Sequence, residues 1–158
     1  MQKITPNLWF DTEAEEAANF YISIFKDSEI TDISRYGEAG PREAGMVLTV
    51  AFKLFGQEFV AINGGPDFKF NEAISLSVSC KSQDEVDDLW ERLTADGGEE
   101  GPCGWLKDKY GLSWQIVPTR LPELLQDKDP ERANRAMKAM LQMKKLYIAE
   151  LEKAADGK

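Results

Sequence analysis

Residues 4–10 alternate. Leu8 and Phe10 fall on one side of an extended chain, Asn7 and Trp9 on the other, the period-two signature of a strand with one buried face. A helix is predicted directly afterwards, because Thr12 with Glu15 three residues on forms a Thr-x-x-Glu capping box. Ala14, Ala17, Ala18, Tyr21, Ile24 and Phe25 then recur at helical spacing and make an apolar stripe that must be covered. Three more strands are expected over residues 29–36, 46–55 and 58–63, the middle one with Met46, Leu48, Val50 and Phe52 on one face. The last two join at a turn placed on Gly56-Gln57, and the Gly/Pro-rich residues 37–45 read as a mobile loop.

After Gly64-Gly65-Pro66 the pattern starts again. A strand is predicted over 73–80, followed by a helix opened by Ser82 with Glu85, striped by Val86, Leu89, Trp90 and Leu93, and ended at Gly97-Gly98. Residues 105–109 and 113–119 supply its clearest later strands. This recurrence marks an internal repeat. From Pro130 the chain turns helix-forming, with Ala133, Ala136, Met137, Met140, Met143, Tyr147, Ile148 and Leu151 along one stripe. That stripe suits packing on its own domain or a homodimer contact, since Met adapts to either.

Composition narrows the chemistry. A length of 158 residues fits one core better than two, and a formal charge of −9 opposes a phosphate backbone. No run is apolar enough to span a bilayer and no secretion signal is seen at the start, so a cytoplasmic protein is expected. Cys80 and Cys103 follow no metal or redox spacing and are expected as free thiols. The chain has no histidine, which removes His-activated nucleophiles and His-ligated metal sites.

Strand parity gathers a candidate pocket. Over 73–80, Ile74, Leu76 and Val78 make an apolar side for the helix, while Ser75, Ser77 and Ser79 leave a small hydroxylic side. Ser113, Gln115 and Val117 share a side of the last strand. Asn7, Trp9, Ser75, Ser77 and Gln115 therefore offer amide and hydroxyl contacts beside an aromatic wall, or else a solvent-facing polar side. Cys103 joins them as a ligand-binding thiol, against the alternative of an inert packed one. Arg35, Tyr36 and Arg42 flank the Gly-rich loop, either over a cavity mouth or as ordinary surface.

The segments Ile4-Thr5-Pro6-Asn7-Leu8-Trp9-Phe10, Asn63-Gly64-Gly65-Pro66 and Glu72-Ala73-Ile74-Ser75 carry a resemblance. So, above all, do Cys103-Gly104-Trp105-Leu106-Lys107-Asp108 and Ser113-Trp114-Gln115-Ile116-Val117-Pro118. Together they resemble the vicinal oxygen chelate, or glyoxalase and bleomycin-resistance, superfamily, and within it the PhnB-like branch labelled 3-demethylubiquinone 3-methyltransferase. The resemblance implies an α+β fold of two βαβββ modules, about 3–64 and 72–120, curled as a mixed sheet around a cavity. A C-terminal helical extension over about 121–155 completes one glyoxalase-like domain. The superfamily's metal-ligand positions fall on Pro6 or Asn7, on Ala73 and on Gln115, with Glu58 available for the fourth, a weak set for zinc, nickel or iron. No metal or other cofactor is therefore expected, and no strand-to-helix glycine turn suits S-adenosylmethionine. The function expected is metal-independent binding of a small molecule by a homodimer, with neither nucleic acid nor membrane as partner. The alternative is a metal-independent isomerase or lyase using Glu58, Cys103 or Tyr36; methyl transfer is not expected.

Overall fold

In the computed structural model, which describes residues 2–158, the alternating segments become two separate four-stranded mixed sheets. The chain divides into two compact units, Met1–Lys69 and Phe70–Lys158. The first runs β1 (Asn7–Phe10), α1 (Ala14–Ile24), β2 (Glu29–Arg35), β3 (Val47–Leu54) and β4 (Gln57–Asn63). Its strands lie in the order β1-β4-β3-β2, with β1 parallel to β4 and the other pairs antiparallel. Helix α1 covers one face, where Phe52 stacks between Tyr21 at 6.3 Å and Phe59 at 5.5 Å. Full burial of each such ring stabilises the unit by about 1.5–3 kcal/mol.

Three local expectations change here. The Thr12 capping box does not form; the first helical N–H, that of Ala14, instead donates to Oδ1 of Asn63 at 2.8 Å. Asn63 is buried at the end of β4, and its Nδ2 donates to the Val47 carbonyl at 3.0 Å. On β3, the register jumps from Ser34↔Thr49 to Arg35↔Val47, so Leu48 is the extra residue of a bulge. Val47 thereby reaches the core beside Val50 and Phe52, whereas Met46 and Leu48 stay half-buried. The β3-β4 turn sits on Phe55-Gly56, both at positive φ (50° and 78°), one residue earlier than expected.

The second unit repeats the topology: β5 (Ser75–Cys80), α2 (Gln83–Thr94), β6 (Glu99–Glu100), β7 (Trp105–Lys107) and β8 (Ser113–Pro118), in the order β5-β8-β7-β6. Here the capping box forms. Glu85 N donates to Ser82 Oγ at 3.2 Å, and Lys81 N donates to the Glu85 carboxylate at 2.9 Å. Ile74 is 63% exposed and does not join Leu76 and Val78 against the helix, because β5 begins one residue after it. Buried Asp108 sets the β7-β8 connection by accepting from Tyr110 N, Leu112 N and Trp114 Nε1 at 2.9, 3.1 and 2.9 Å.

The C-terminal extension is helical but is three pieces, α3 (Arg120–Leu125), α4 (Pro130–Met140) and α5 (Ile148–Ala155). Residues 141–147 leave the helix because their carbonyls serve the rest of the unit. Cys103 N and Gly104 N donate to the Met143 and Lys144 carbonyls at 2.8 Å each, and Gln83 Nε2 donates to that of Leu146 at 3.0 Å. The apolar stripe is used in part within its own unit: Ala136 and Leu151 are buried with Leu121, Leu124 and Leu146, and Met140 and Met143 pack against them, whereas Met137 and Tyr147 are exposed. Among the described residues, no helix is long and apolar enough to cross a membrane.

Candidate functional site

Each sheet has one face under α1 or α2 and one free of that helix, although in the second unit Val117, at the end of the second face, packs against the C-terminal helices. Residues paired directly across strands share a face, so the registers read off the helix-free side. In the first unit Asn7↔Val60 and Trp9↔Ile62 place Asn7 and Trp9 there, as their parity predicted. In the second, Ser77↔Gln115 and Trp105↔Gln115 bring Ser77, Gln115 and Trp105 onto one face, and Ser75↔Ser113 with Lys107↔Ser113 add their neighbours. The predicted site residues thus fall into two sets, Asn7 with Trp9 in one unit, and Ser75, Ser77, Gln115 and Cys103 in the other.

Trp9 is an aromatic surface whose polar edge is already used. Its Nε1 donates to the Gly65 carbonyl at 2.9 Å, and its ring meets Phe68 edge-on at 4.9 Å. A Cβ on Gly64 would lie 2.3 Å from the indole, so the Asn63-Gly64-Gly65 motif caps α1, makes room for the ring and accepts its N–H. Asn7 is exposed, and its Nδ2 donates to the Thr5 carbonyl at 2.9 Å.

Tyr36 is in the core and is not at a cavity mouth; its hydroxyl donates to the Asn63 carbonyl at 2.6 Å. Arg42 pairs with Asp11, its Nη2 3.1 Å from Oδ1. The loop of residues 37–45 is thereby anchored at its base and side.

The second unit holds more chemistry. Gln115 Nε2 donates to Ser75 Oγ at 2.9 Å, which fixes the amide across the strands. Ser77 is exposed on the same face. Beside this pair lies a cavity of about 420 Å³, lined among others by Glu72, Glu99, Cys103, Trp105, Lys107 and Ser113. Lys107 forms an ion pair with Glu72; the hydrogen bond between them raises the lysine pKa above its ordinary value and lowers that of the glutamate.

Ser113 is 1% exposed, and its Oγ has no hydrogen-bond partner among the described residues. A buried hydroxyl on a cavity wall is open to a partner from the cavity, a water or a ligand group. Ser113 shares the parity of Gln115 and was therefore visible in sequence, as were Trp105 and Lys107 on β7. Glu72, in the irregular segment before β5, carried no such signal.

The two cysteines are free, as expected, and differ. Cys80 is fully buried, and burial pushes its thiol up to about 12, with Glu85 adding to the effect, so it is inert. Cys103 lines the cavity at a positive φ of 57°, its backbone tied to Met143.

The donor set does not suit a transition metal. The β4 residues in register with Asn7 and Trp9 are Val60 and Ile62, which have no ligand atoms, and Ala73 lies outside β5. Glu58, with amides from Asn7 and Gln115, is a poor competitor with water for zinc, nickel or iron. Among the described residues, no three His, Cys, Asp or Glu side chains gather where an ion would sit. The strand-to-helix connections, Asp11-Thr12-Glu13, Lys81-Ser82 and Thr119, contain no glycine that would bring backbone N–H groups onto a nucleoside cofactor.

Comparisons with known proteins agree with this architecture. A profile of the family described as 3-demethylubiquinone-9 3-methyltransferase matches residues 2–117. A PhnB protein of Bacillus cereus with the same description is 42% identical, over 75% of this chain and 100% of that one, with a TM-score of 0.67. Protein PA1353 of Pseudomonas aeruginosa shares the fold at 18% identity, over 75% and 98% of the two chains, with a TM-score of 0.60. So does the fosfomycin resistance protein FosX of Listeria monocytogenes, solved with Mn(II) and sulfate, at 20% identity, 80% and 100% coverage and a TM-score of 0.57. No curated protein matches the chain.

Proposed function

Given that this chain belongs to the PhnB-like family described as 3-demethylubiquinone-9 3-methyltransferase, within the vicinal oxygen chelate fold, we propose that it binds a small organic molecule reversibly and without a metal. The observation that carries the reading is the helix-free face of the second sheet, where the fixed Gln115-Ser75 pair borders a cavity with an unsatisfied Ser113 hydroxyl. Such a surface has what a ligand site needs, an apolar concavity with a few placed polar groups. Asn7 and Trp9 supply the corresponding surface of the first unit. In this reading the chain acts as one functional domain and as a cytoplasmic homodimer, without nucleic acid or membrane.

Binding is favoured over catalysis because the groups available as acid or base are committed or unsupported. The Tyr36 hydroxyl is bound to Asn63, and Cys103 has no histidine anywhere in the chain to take its proton. Methyl transfer has no support in the strand-to-helix connections described above.

Native mass spectrometry of the purified protein, with metal analysis on the same sample, tests ligand, metal and subunit number together. A co-purified organic mass on a dimer with no stoichiometric metal is expected; a stoichiometric metal would overturn the reading. Gln115→Leu should weaken retention of that compound about fivefold or more, the loss of one neutral hydrogen bond of about 1 kcal/mol, with the melting temperature nearly unchanged. Unaltered retention would remove Gln115 from the site.

A further inference from the structure

The cavity of the second unit is acidic at its rim and apolar inside, and a buried hydroxyl on its wall, that of Ser113, has no partner among the described residues. Resting on the reading of the helix-free face as a ligand surface, we propose that this cavity takes a small organic cation, an apolar and preferably aromatic body carrying one amine nitrogen.

Its size sets the first constraint, since about 420 Å³ lies toward the lower end of small-molecule pockets, which run from about 300 to 1,000 Å³. Pro102, Trp105 and Leu106 line it, and the face of an indole attracts a cation through its negative quadrupole.

Charge sets the second. Glu72, Glu99 and Glu100 line the cavity with Lys107 as the one cationic side chain, so carboxylates outnumber cations there even with the Glu100 carboxylate turned to Trp90. Lys107 is held by Glu72, so an anion entering would meet a cation already engaged. Glu100 is fixed by Trp90 Nε1, which donates to its Oε1 at 2.6 Å. The net −9 of the whole chain favours the approach of cations and opposes that of anions.

Ser113 sets the third constraint. Its buried Oγ can accept a hydrogen bond from an ammonium N–H and would then recover the hydration it lost on folding. A hydrocarbon ligand would leave that oxygen as it is, and a carboxylate would face the glutamates. The amine can serve Ser113 and meet the Glu99 carboxylate together.

The test uses three probes of matched size, benzylamine, benzyl alcohol and benzoate, titrated into the full chain and followed by amide and indole chemical shifts. Benzylamine should shift Ser113, Lys107 and the Trp105 indole, with an affinity about tenfold above that of benzyl alcohol, equivalent to about 1.4 kcal/mol, and benzoate should be weakest. Glu99→Gln, an exposed change that leaves the fold intact, should cut the benzylamine preference about threefold without moving benzyl alcohol. Equal binding of amine and alcohol, or a preference for benzoate, overturns the cationic assignment while leaving a ligand site in place. An absence of shifts at Ser113, Gln115 and Ser75 with every probe overturns both the assignment and the binding reading beneath it.

Discussion

Ser113→Ala should make the ligand-free protein more stable. A buried hydroxyl without a partner carries a desolvation cost of about 1–3 kcal/mol, and the alanine removes the hydroxyl together with that cost. Against this stands the space of one oxygen atom beside an existing cavity, a loss of a few contacts at about 0.1–0.2 kcal/mol each. The balance is a gain of about 0.5–2 kcal/mol, or a rise in melting temperature of about 1–8 °C for a chain of this length. Three of the four tryptophans, Trp90, Trp105 and Trp114, lie in the second unit, so their fluorescence follows the part of the chain that changes. Urea titration should show a higher midpoint with the same slope, as for a change in stability that leaves the exposed surface alike. The same variant should bind benzylamine more weakly. Stability gained where binding is lost is the mark of a group kept for a ligand. A melting temperature lowered by the substitution would refute the reasoning, because it would mean that the hydroxyl is satisfied in the folded protein and is not waiting for a ligand.

The other predictions are structural. Asn63→Ala strands the Ala14 N–H and the Val47 carbonyl in the core and should cost about 2–4 kcal/mol in chemical denaturation, where a loss below about 1 kcal/mol would mean that α1 is capped otherwise. Thr12→Ala should be neutral within a few tenths of a kcal/mol while Ser82→Ala loses about 1 kcal/mol, and equal effects would contradict the two caps seen. Cys80, with a folded pKa of about 12 against an ordinary 9.0, keeps a proton that the unfolded chain releases. Its contribution to stability is therefore complete below about pH 9 and is lost as pH rises toward 12, so Cys80→Ala should flatten the alkaline fall in stability.

How far the sequence reached depended on the range of the interaction. Strand parity is local, and it placed Trp9 opposite Leu8, Gln115 opposite Trp114, and Ser77 beside Gln115 across the ladder. The Ser82-Glu85 box is local too and forms as read. The Thr12 box had the same letters and lost to Asn63, a partner 49 residues away whose amide is held in place by Val47. The bulge at Leu48 turned a correct alternation onto the wrong face for the residues before it, and no residue in β3 announces the insertion. The two-residue strand β6 is too short to show any period. The C-terminal stripe has helical spacing throughout, yet the carbonyls of Met143, Lys144 and Leu146 are worth more to Cys103, Gly104 and Gln83 than to a continuous helix. At the site, residue types were legible and their commitments were not: nothing in the letters says that the Trp9 N–H is already used or that the Ser113 hydroxyl is not.

That contrast also says how two copies of one topology divide their work. In the first unit the fold itself consumes the polar groups: Trp9 Nε1 on the helix-free face by Gly65, and in the core the Tyr36 hydroxyl by Asn63 and Asn63 by the cap of α1. What remains there is mainly ring surface, which adds area to a contact but little selectivity. In the second unit the fold draws on groups under the other face, where Asp108 takes Trp114 and Glu100 takes Trp90. The helix-free side is left with Ser113 unpaired and with Gln115 using one donor on Ser75. Selectivity comes from polar groups that a wrong ligand leaves unsatisfied, because each such failure costs more than a misplaced methylene. In the proposed reading the second unit therefore sets which ligand is held, and substitutions on its helix-free face should change ligand choice.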